Sequence, residues 1–344
     1  MAAPSLFAPS LAARLAQIEP ERRQFKAASR KSLLMAALTI VLAIVFFSGG
    51  TAGAVWAAGA FASQRPAVLI VAVLAVWAVL SYALYHCMDR ATKLGEPAMA
   101  ALQAAFNERL LLPALREALP RCQASAGPLI GLEGIRASRL FHSRHNRMLS
   151  TCGFSGEAAG SGFRATVLRL AYRQPGKPLH PGIGPMGEVR SHHRRGYGFS
   201  GILVHLERQT PFTTTVRLAD PAYQNSPWGF ETARAHDIVR SRSGDPVFDE
   251  AFLVLLDQGQ TAAPPIPDAL RRLCFELREL FGLPVFLSFT GTGTYLAIAT
   301  GDGRLPMQLE HLEEPAAESL AKEISVINKV PAAVESLSSA LHAG

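Results

Sequence analysis

Two apolar runs, residues 33–61 and 67–85, constrain what this chain can become, because neither contains a charged side chain. Only Ala62-Ser63-Gln64-Arg65-Pro66 separates them. A helix rises about 1.5 Å per residue and a bilayer core is about 30 Å thick, so about 20 consecutive apolar residues cross it. Both runs reach that length, and the sequence predicts a transmembrane helical hairpin over 33–86. The remaining residues are polar enough to sit in water.

Basic residues set the expected orientation, since they stay on the cytoplasmic side of a span. Arg22, Arg23, Lys26, Arg30 and Lys31 gather before the first run, and Arg90, Lys93, Arg109 and Arg116 follow the second. The connecting loop has Arg65 alone. Both termini are therefore expected in the cytoplasm. Residues 1–32 read as an amphipathic cytoplasmic arm, with Leu11, Leu15 and Ile18 at helical spacing and a break at Pro20. The arm is too long, and the apolar run too extended, for a cleavable signal peptide. Inside the first run, Gly49 and Gly53 have the GxxxG spacing that lets helix backbones approach closely. They mark a homodimer face, a contact with the chain's own second helix, or a bend.

Without arm and hairpin, about 250 of the 344 residues remain, enough for a sizeable core. The net charge of +7 is unevenly placed. Residues 130–200 hold eleven Arg or Lys against three Glu, whereas acids outnumber bases over 245–323. Such asymmetry suits a face turned toward something anionic. Cys87, Cys122, Cys152 and Cys274 fit no CxxC pattern and read as free thiols in a reducing compartment.

Along the chain, 87–128 reads as a linking helix over 96–119, kinked at Pro113, followed by a connector. From 129 the apolar period shifts toward two. Strands are expected at 163–172, at 199–206 and 212–218 around Gln209-Thr210-Pro211, and at 236–240. A helical turn over 246–252 leads into a buried strand, 252–256, and then a helix over 266–281. A hairpin over Thr290-Gly291-Thr292-Gly293 joins 285–289 to 295–300. Residues 313–344 read as an amphipathic helix to 330 and then a weak tail from Pro331. The expected fold is α+β: an N-terminal two-helix transmembrane hairpin, then a mostly antiparallel sheet domain with packed helices over 129–312.

Four segments then carry a resemblance: Ala137-Ser138-Arg139-Leu140-Phe141; Phe199-Ser200-Gly201-Ile202-Leu203; Pro246-Val247-Phe248-Asp249-Glu250-Ala251-Phe252-Leu253-Val254 with Asp257-Gln258; and Val285-Phe286-Leu287-Ser288-Phe289 with Tyr295-Leu296-Ala297-Ile298-Ala299. In this order, behind the apolar pair, the chain resembles the bacterial two-span membrane family called domain of unknown function 3137, over roughly residues 10–310. It departs from that family at Met148-Leu149-Ser150-Thr151-Cys152-Gly153, where the family has a tyrosine-rich segment, and in the Pro-rich stretch after Gln258. The resemblance implies a bacterial inner-membrane protein and brings no activity, cofactor or defined site.

Candidate chemistry is sparse. Gly153-Phe154-Ser155-Gly156 and Gly198-Phe199-Ser200-Gly201 lack the Gly two positions after Ser that a nucleophile elbow requires. His142, His145, His192 and His193 sit among Arg residues, which oppose a cation, so no metal site is expected. Gly182-Ile183-Gly184-Pro185-Met186-Gly187 spells a dinucleotide fingerprint without its strand and helix. Asp245, Asp249, Glu250 and Asp257 are candidates for acid–base or metal work, but Asp249 and Glu250 fall on an exposed-looking turn where acids favour the helix dipole, and the structural reading is preferred. The distinctive soluble feature is the 174–198 loop with Arg190, His192, His193, Arg194 and Arg195, a candidate contact for anionic lipid or an acidic partner. Nucleic acid is disfavoured because aromatic residues hardly interleave with these bases. The sequence thus points to a non-enzymatic membrane adaptor or scaffold, with membrane lipid, an unidentified protein or a second copy as partner. The alternative is a membrane-surface enzyme whose site assembles from distant residues. A transporter is a third reading, disfavoured by two spans without an intramembrane charge.

Overall fold

The computed structural model of the chain describes residues 8–61, 66–93, 96–141, 147–171, 197–207, 211–223, 238–260, 264–300 and 317–342. Helix α2 (Glu19–Phe61) joins the basic segment and the first apolar run into one element of 43 residues, with Pro20 in its first turn. Several of its polar side chains find partners within the helix. Thr39 Oγ1 donates to Met35 O (2.8 Å), Ser48 Oγ donates to Ile44 O (2.7 Å), and Glu19 pairs with Arg22 and Arg23. Within Glu19–Gly50 lies a helix long and apolar enough to cross a membrane, and only 11% of its most apolar window is buried. Leu34, Met35, Leu38, Ile40, Leu42 and Phe46 are exposed on several sides of the axis. A helix apolar all round whose most apolar window is left so largely exposed by the described residues is unlike a core helix.

Helix α3 (Pro66–Lys93) carries the second run and ends on Arg90 and Lys93, which complement its dipole. It packs on α2, where the Phe47 and Trp77 ring centroids are 4.4 Å apart, and α4 (Glu96–Ala105) also packs on α2. These three helices form one compact unit; α1 (Ala8–Gln17) and the described residues from Phe106 onward form the other. A π-helical segment, Phe106–Leu111, precedes α5 (Leu112–Ala118). Pro113 cannot donate to the carbonyl one turn back, and the widened turn falls over that defect. The expected kink thus takes the form of a π segment.

The second unit is built on a nine-stranded sheet: β1 (Gln123–Ser125), β2 (Arg147–Ala158), β3 (Ser161–Ala171), β4 (Tyr197–Leu206), β5 (Val216–Ala219), β6 (Ile238–Ser241), β7 (Leu253–Asp257), β8 (Val285–Thr290) and β9 (Gly293–Ala299). Their order is β1-β2-β3-β4-β9-β8-β5-β7-β6, and every pairing is antiparallel. The α+β expectation holds for this unit. One face is covered by the segment 129–141 with its short helix α6 (Leu132–Ala137), whose Ile130, Ile135, Leu140 and Phe141 join Phe199, Leu203, Phe286 and Ala297 in a single core. Helix α8 (Asp268–Phe281), which follows the helical turn α7 (Pro246–Ala251), packs Leu270, Leu273 and Leu277 inward at spacings of three and four. It ends at Gly282 in the left-handed region (φ 63°), and Lys329 Nζ donates to the otherwise unpaired Leu280 carbonyl (2.7 Å).

Three sequence expectations change. β4 and β5 do not form a hairpin, because β9 and β8 stand between them in the sheet. Residues after 330 are not a weak tail. α9 (Ala317–Asn328) is followed by α10 (Val330–His342), with Pro331 in the first turn, a position where its missing N–H costs nothing. β2 carries Ser150, Thr151, Gly153 and Gly156 and shows no strand-like apolar alternation, so it was invisible in the sequence.

Candidate functional site

The segment 129–141 is laid against the sheet by two bonds to one hydroxyl. The Leu129 and Ile130 N–H groups both donate to Thr166 Oγ1 on β3, at 3.0 and 2.9 Å. Gly153 on β2 makes the approach possible, since a Cβ there would stand 2.8 Å from both Gly127 O and Leu129 Cγ. Strand register then assembles a polar row that the sequence scatters over a hundred residues. Arg164 pairs with His205, His205 with Tyr295, Tyr295 with Ser288, and Ser288 with Arg217. Side chains at paired positions share a face, so the row runs across five neighbouring strands.

At one end of the row, beside α6, is a cleft of about 460 Å³ lined by Gly131, Glu133, Arg164, His205, Thr292 and Tyr295, among others. The His205 and Tyr295 rings stack with centroids 4.5 Å apart and 15° between planes. His205 Nε2 lies 3.3 Å from Thr292 O, and Thr292 Oγ1 is 3.2 Å from the Tyr295 hydroxyl. Arg164 is held by Glu207 at 2.6 Å. Gly293 is required here. Its φ of +141° is outside the range of ordinary side chains, and a Cβ would stand 2.6 Å from both His205 Nε2 and Leu206 O.

Burial holds the His205 imidazole below its ordinary value of 6.5, and the Arg164 charge adds to this; the bond to Thr292 and the Glu207 charge oppose it. The unfolded chain therefore takes up this proton first as pH falls, so stability rises with pH between the folded and the unfolded value. Urea midpoints measured from about pH 7.5 to about pH 5.5 should fall on the acid side, and His205→Gln should flatten that fall. An unchanged slope in the variant would remove His205 from the account.

At the other end of the row Arg217 is almost fully buried. Its Nε donates to Arg139 O (2.7 Å) and its Nη2 to Asp257 Oδ1 (2.5 Å). Arg139 has φ +55°, rare for a residue with a side chain, and its carbonyl is one of these two acceptors.

Asp245 and Asp249, also considered from sequence, have structural partners, and Glu250 is exposed. Asp245 accepts from the Val247 and Phe248 N–H groups and caps α7, and Asp249 accepts from the Ser243 N–H (2.7 Å). Ser155 and Ser200 lie within β2 and β4, and Thr300 Oγ1 donates to the Ser200 carbonyl (3.1 Å). All four cysteines are free thiols; burial pushes Cys152 up to about 12 and raises Cys274 as well. A Cβ at Gly49 or Gly53 would meet nothing within 4 Å, whereas one at Gly50 would be 3.9 Å from Trp77 Nε1. Arg190, His192, His193, Arg194 and Arg195 lie outside the described residues, as do His142, His145 and residues 182–187. Among the described residues no group of three His, Cys, Asp or Glu is placed to hold a metal.

His205 and Arg217 were not singled out in the sequence. For Arg217 a signal existed, a lone charge inside the otherwise apolar Val216-Arg217-Leu218-Ala219. For His205 none did, because its neighbours come from pairing alone. Comparison of the chain with protein-family models, with curated proteins and with solved structures found no match in any of the three.

Proposed function

We propose that this chain is a bacterial inner-membrane protein with two spans and both termini in the cytoplasm, acting as a non-enzymatic adaptor that presents its α+β unit to a protein partner or to anionic lipid. The observation that carries the reading is α2, a long apolar helix whose most apolar window is only 11% buried, in the same chain as a well-packed sheet unit. Support for the second span comes from the apolar α3, which packs Trp77 on Phe47. Support for an adaptor comes from how the reactive side chains are used: Asp245 caps a helix, Asp249 holds a turn, and Asp257 pairs with a buried arginine. The 174–198 basic loop supplies the lipid-facing or partner-facing charge in this reading.

The test is alkaline-carbonate extraction of native membranes, followed by mild-detergent affinity purification with proteins and lipids identified by mass spectrometry. The chain should stay in the carbonate pellet and bring down a protein at fixed stoichiometry, or anionic lipid in excess of its membrane share. Release by carbonate would remove the anchor, and recovery of the chain alone would remove the adaptor. A second reading, a membrane-surface enzyme, draws on the cleft where Glu133, Arg164, His205 and Tyr295 converge.

A further inference from the structure

The nine-stranded sheet ends on β6, which pairs with β7 on one side and with no strand on the other among the described residues. An unpaired strand presents every second N–H and C=O outward, a template for another strand. Three features mark this edge. Val239 on it is 40% exposed, and Arg240 and Arg242 are exposed with no ion pair among the described residues. Beside them opens a cleft of about 780 Å³ whose lining includes Arg240, Ser241, Arg242, Asp249, Glu250 and Phe252. Phe252, itself 1% exposed, packs on Phe275 (ring centroids 5.3 Å), which is 38% exposed.

We propose that the free edge of β6 docks an extended, acidic segment of a partner protein, which adds a strand to the sheet and places side chains in this cleft. The charges select that occupant. Arg240 and Arg242 are two apart and so share a side of the extended chain, where alternate acidic residues of an added strand would meet both. A second copy of β6 pairing about a two-fold axis at Arg240, Ser241 or Arg242 would instead bring arginine against arginine, which is unfavourable across strands. Asp249 and Glu250, which also line the cleft, disfavour a uniformly acidic occupant, so the pattern sought is alternating.

This inference rests on the adaptor reading and names the chemistry of its partner. The probe is a fluorescent peptide of alternating valine and glutamate, about ten residues long, titrated against the full chain in detergent micelles by anisotropy. Its lysine counterpart serves as control. The glutamate peptide should bind and the lysine peptide should not, and amide exchange at 238–241 should slow on binding. Arg240→Glu with Arg242→Glu should weaken the glutamate peptide by about tenfold or more and favour the lysine peptide. Both side chains are exposed, so an unchanged unfolding midpoint is the check that the variant folds. Equal binding of both peptides, retained binding in the double variant, or unchanged exchange at 238–241 would overturn the proposal. So would protection that grows with protein concentration without peptide, which would give the edge to a second copy. If the native-membrane partner copurifies equally with wild type and double variant, the adaptor stands and this edge is not its docking site.

Discussion

Gly201→Ala should lower the stability of the sheet unit by about 3 kcal/mol or more, beyond the usual cost of one added methyl group. Gly201 lies where β4 meets β9, opposite Ala299. A Cβ built there would stand 1.9 Å from Ile298 O and 2.7 Å from Phe199 Cζ. The first obstacle is the backbone of a central strand, which can move only by disturbing its pairing with both β4 and β8. The second is the ring of a fully buried phenylalanine that packs on Phe141 at 4.8 Å. Neither can yield as the end of a flexible side chain would. Gly49→Ala is the matched control, because nothing lies within 4 Å of its Cβ and alanine favours a helix over glycine. Pulse proteolysis of the full chain across a urea series should show a large downward shift for Gly201→Ala and none for Gly49→Ala. A Gly201→Ala shift within about 0.5 kcal/mol would mean that β4 and β9 relax apart easily.

The same glycine shows what could and could not be read from the sequence. Phe199-Ser200-Gly201 was legible as a strand because the apolar run Ile202-Leu203-Val204 follows it, yet nothing in the letters says that Gly201 touches a backbone 97 residues away. The long elements were legible for local reasons. α2 and α3 follow from uninterrupted apolar runs, α8 from leucines at helical spacing, and the β8–β9 hairpin from its Thr-Gly-Thr-Gly turn. β2 was not, since its residues take their strand character from their neighbours β1 and β3. The polar row was equally hidden. His205 and Tyr295 are 90 residues apart and meet only through the β4–β9 register. The four segments singled out in the sequence contribute Leu140, Phe141, Phe199, Leu203, Leu253, Phe286, Tyr295 and Ala297 to one core. These short patterns are packing requirements of one sheet face, which is why none of them spells a reaction.

Asp257→Ala should cost about 3 kcal/mol, although Asp257 itself is partly exposed, because it strands a charge that is not. Arg217 is only 2% exposed in its side chain, and its carboxylate partner is 2.5 Å away. Taking a guanidinium out of water is costly, and the pair is tolerable only while its acceptors stay in place. Losing Asp257 leaves Arg139 O to accept from Nε and removes the opposing charge from Nη2. Arg217→Met alone should cost less, since Asp257 can turn toward water and methionine fills much of the same volume. The decisive variant combines the two. If the penalty of Asp257→Ala is that of a stranded buried charge, Arg217→Met must relieve it, and the double variant will be more stable than Asp257→Ala alone by about 1 kcal/mol or more. Strictly additive losses would instead mean that each residue contributes by its own packing. The buried pair would then have no part in fixing the position of β5 between β8 and β7, nor in holding the left-handed Arg139 turn against the sheet.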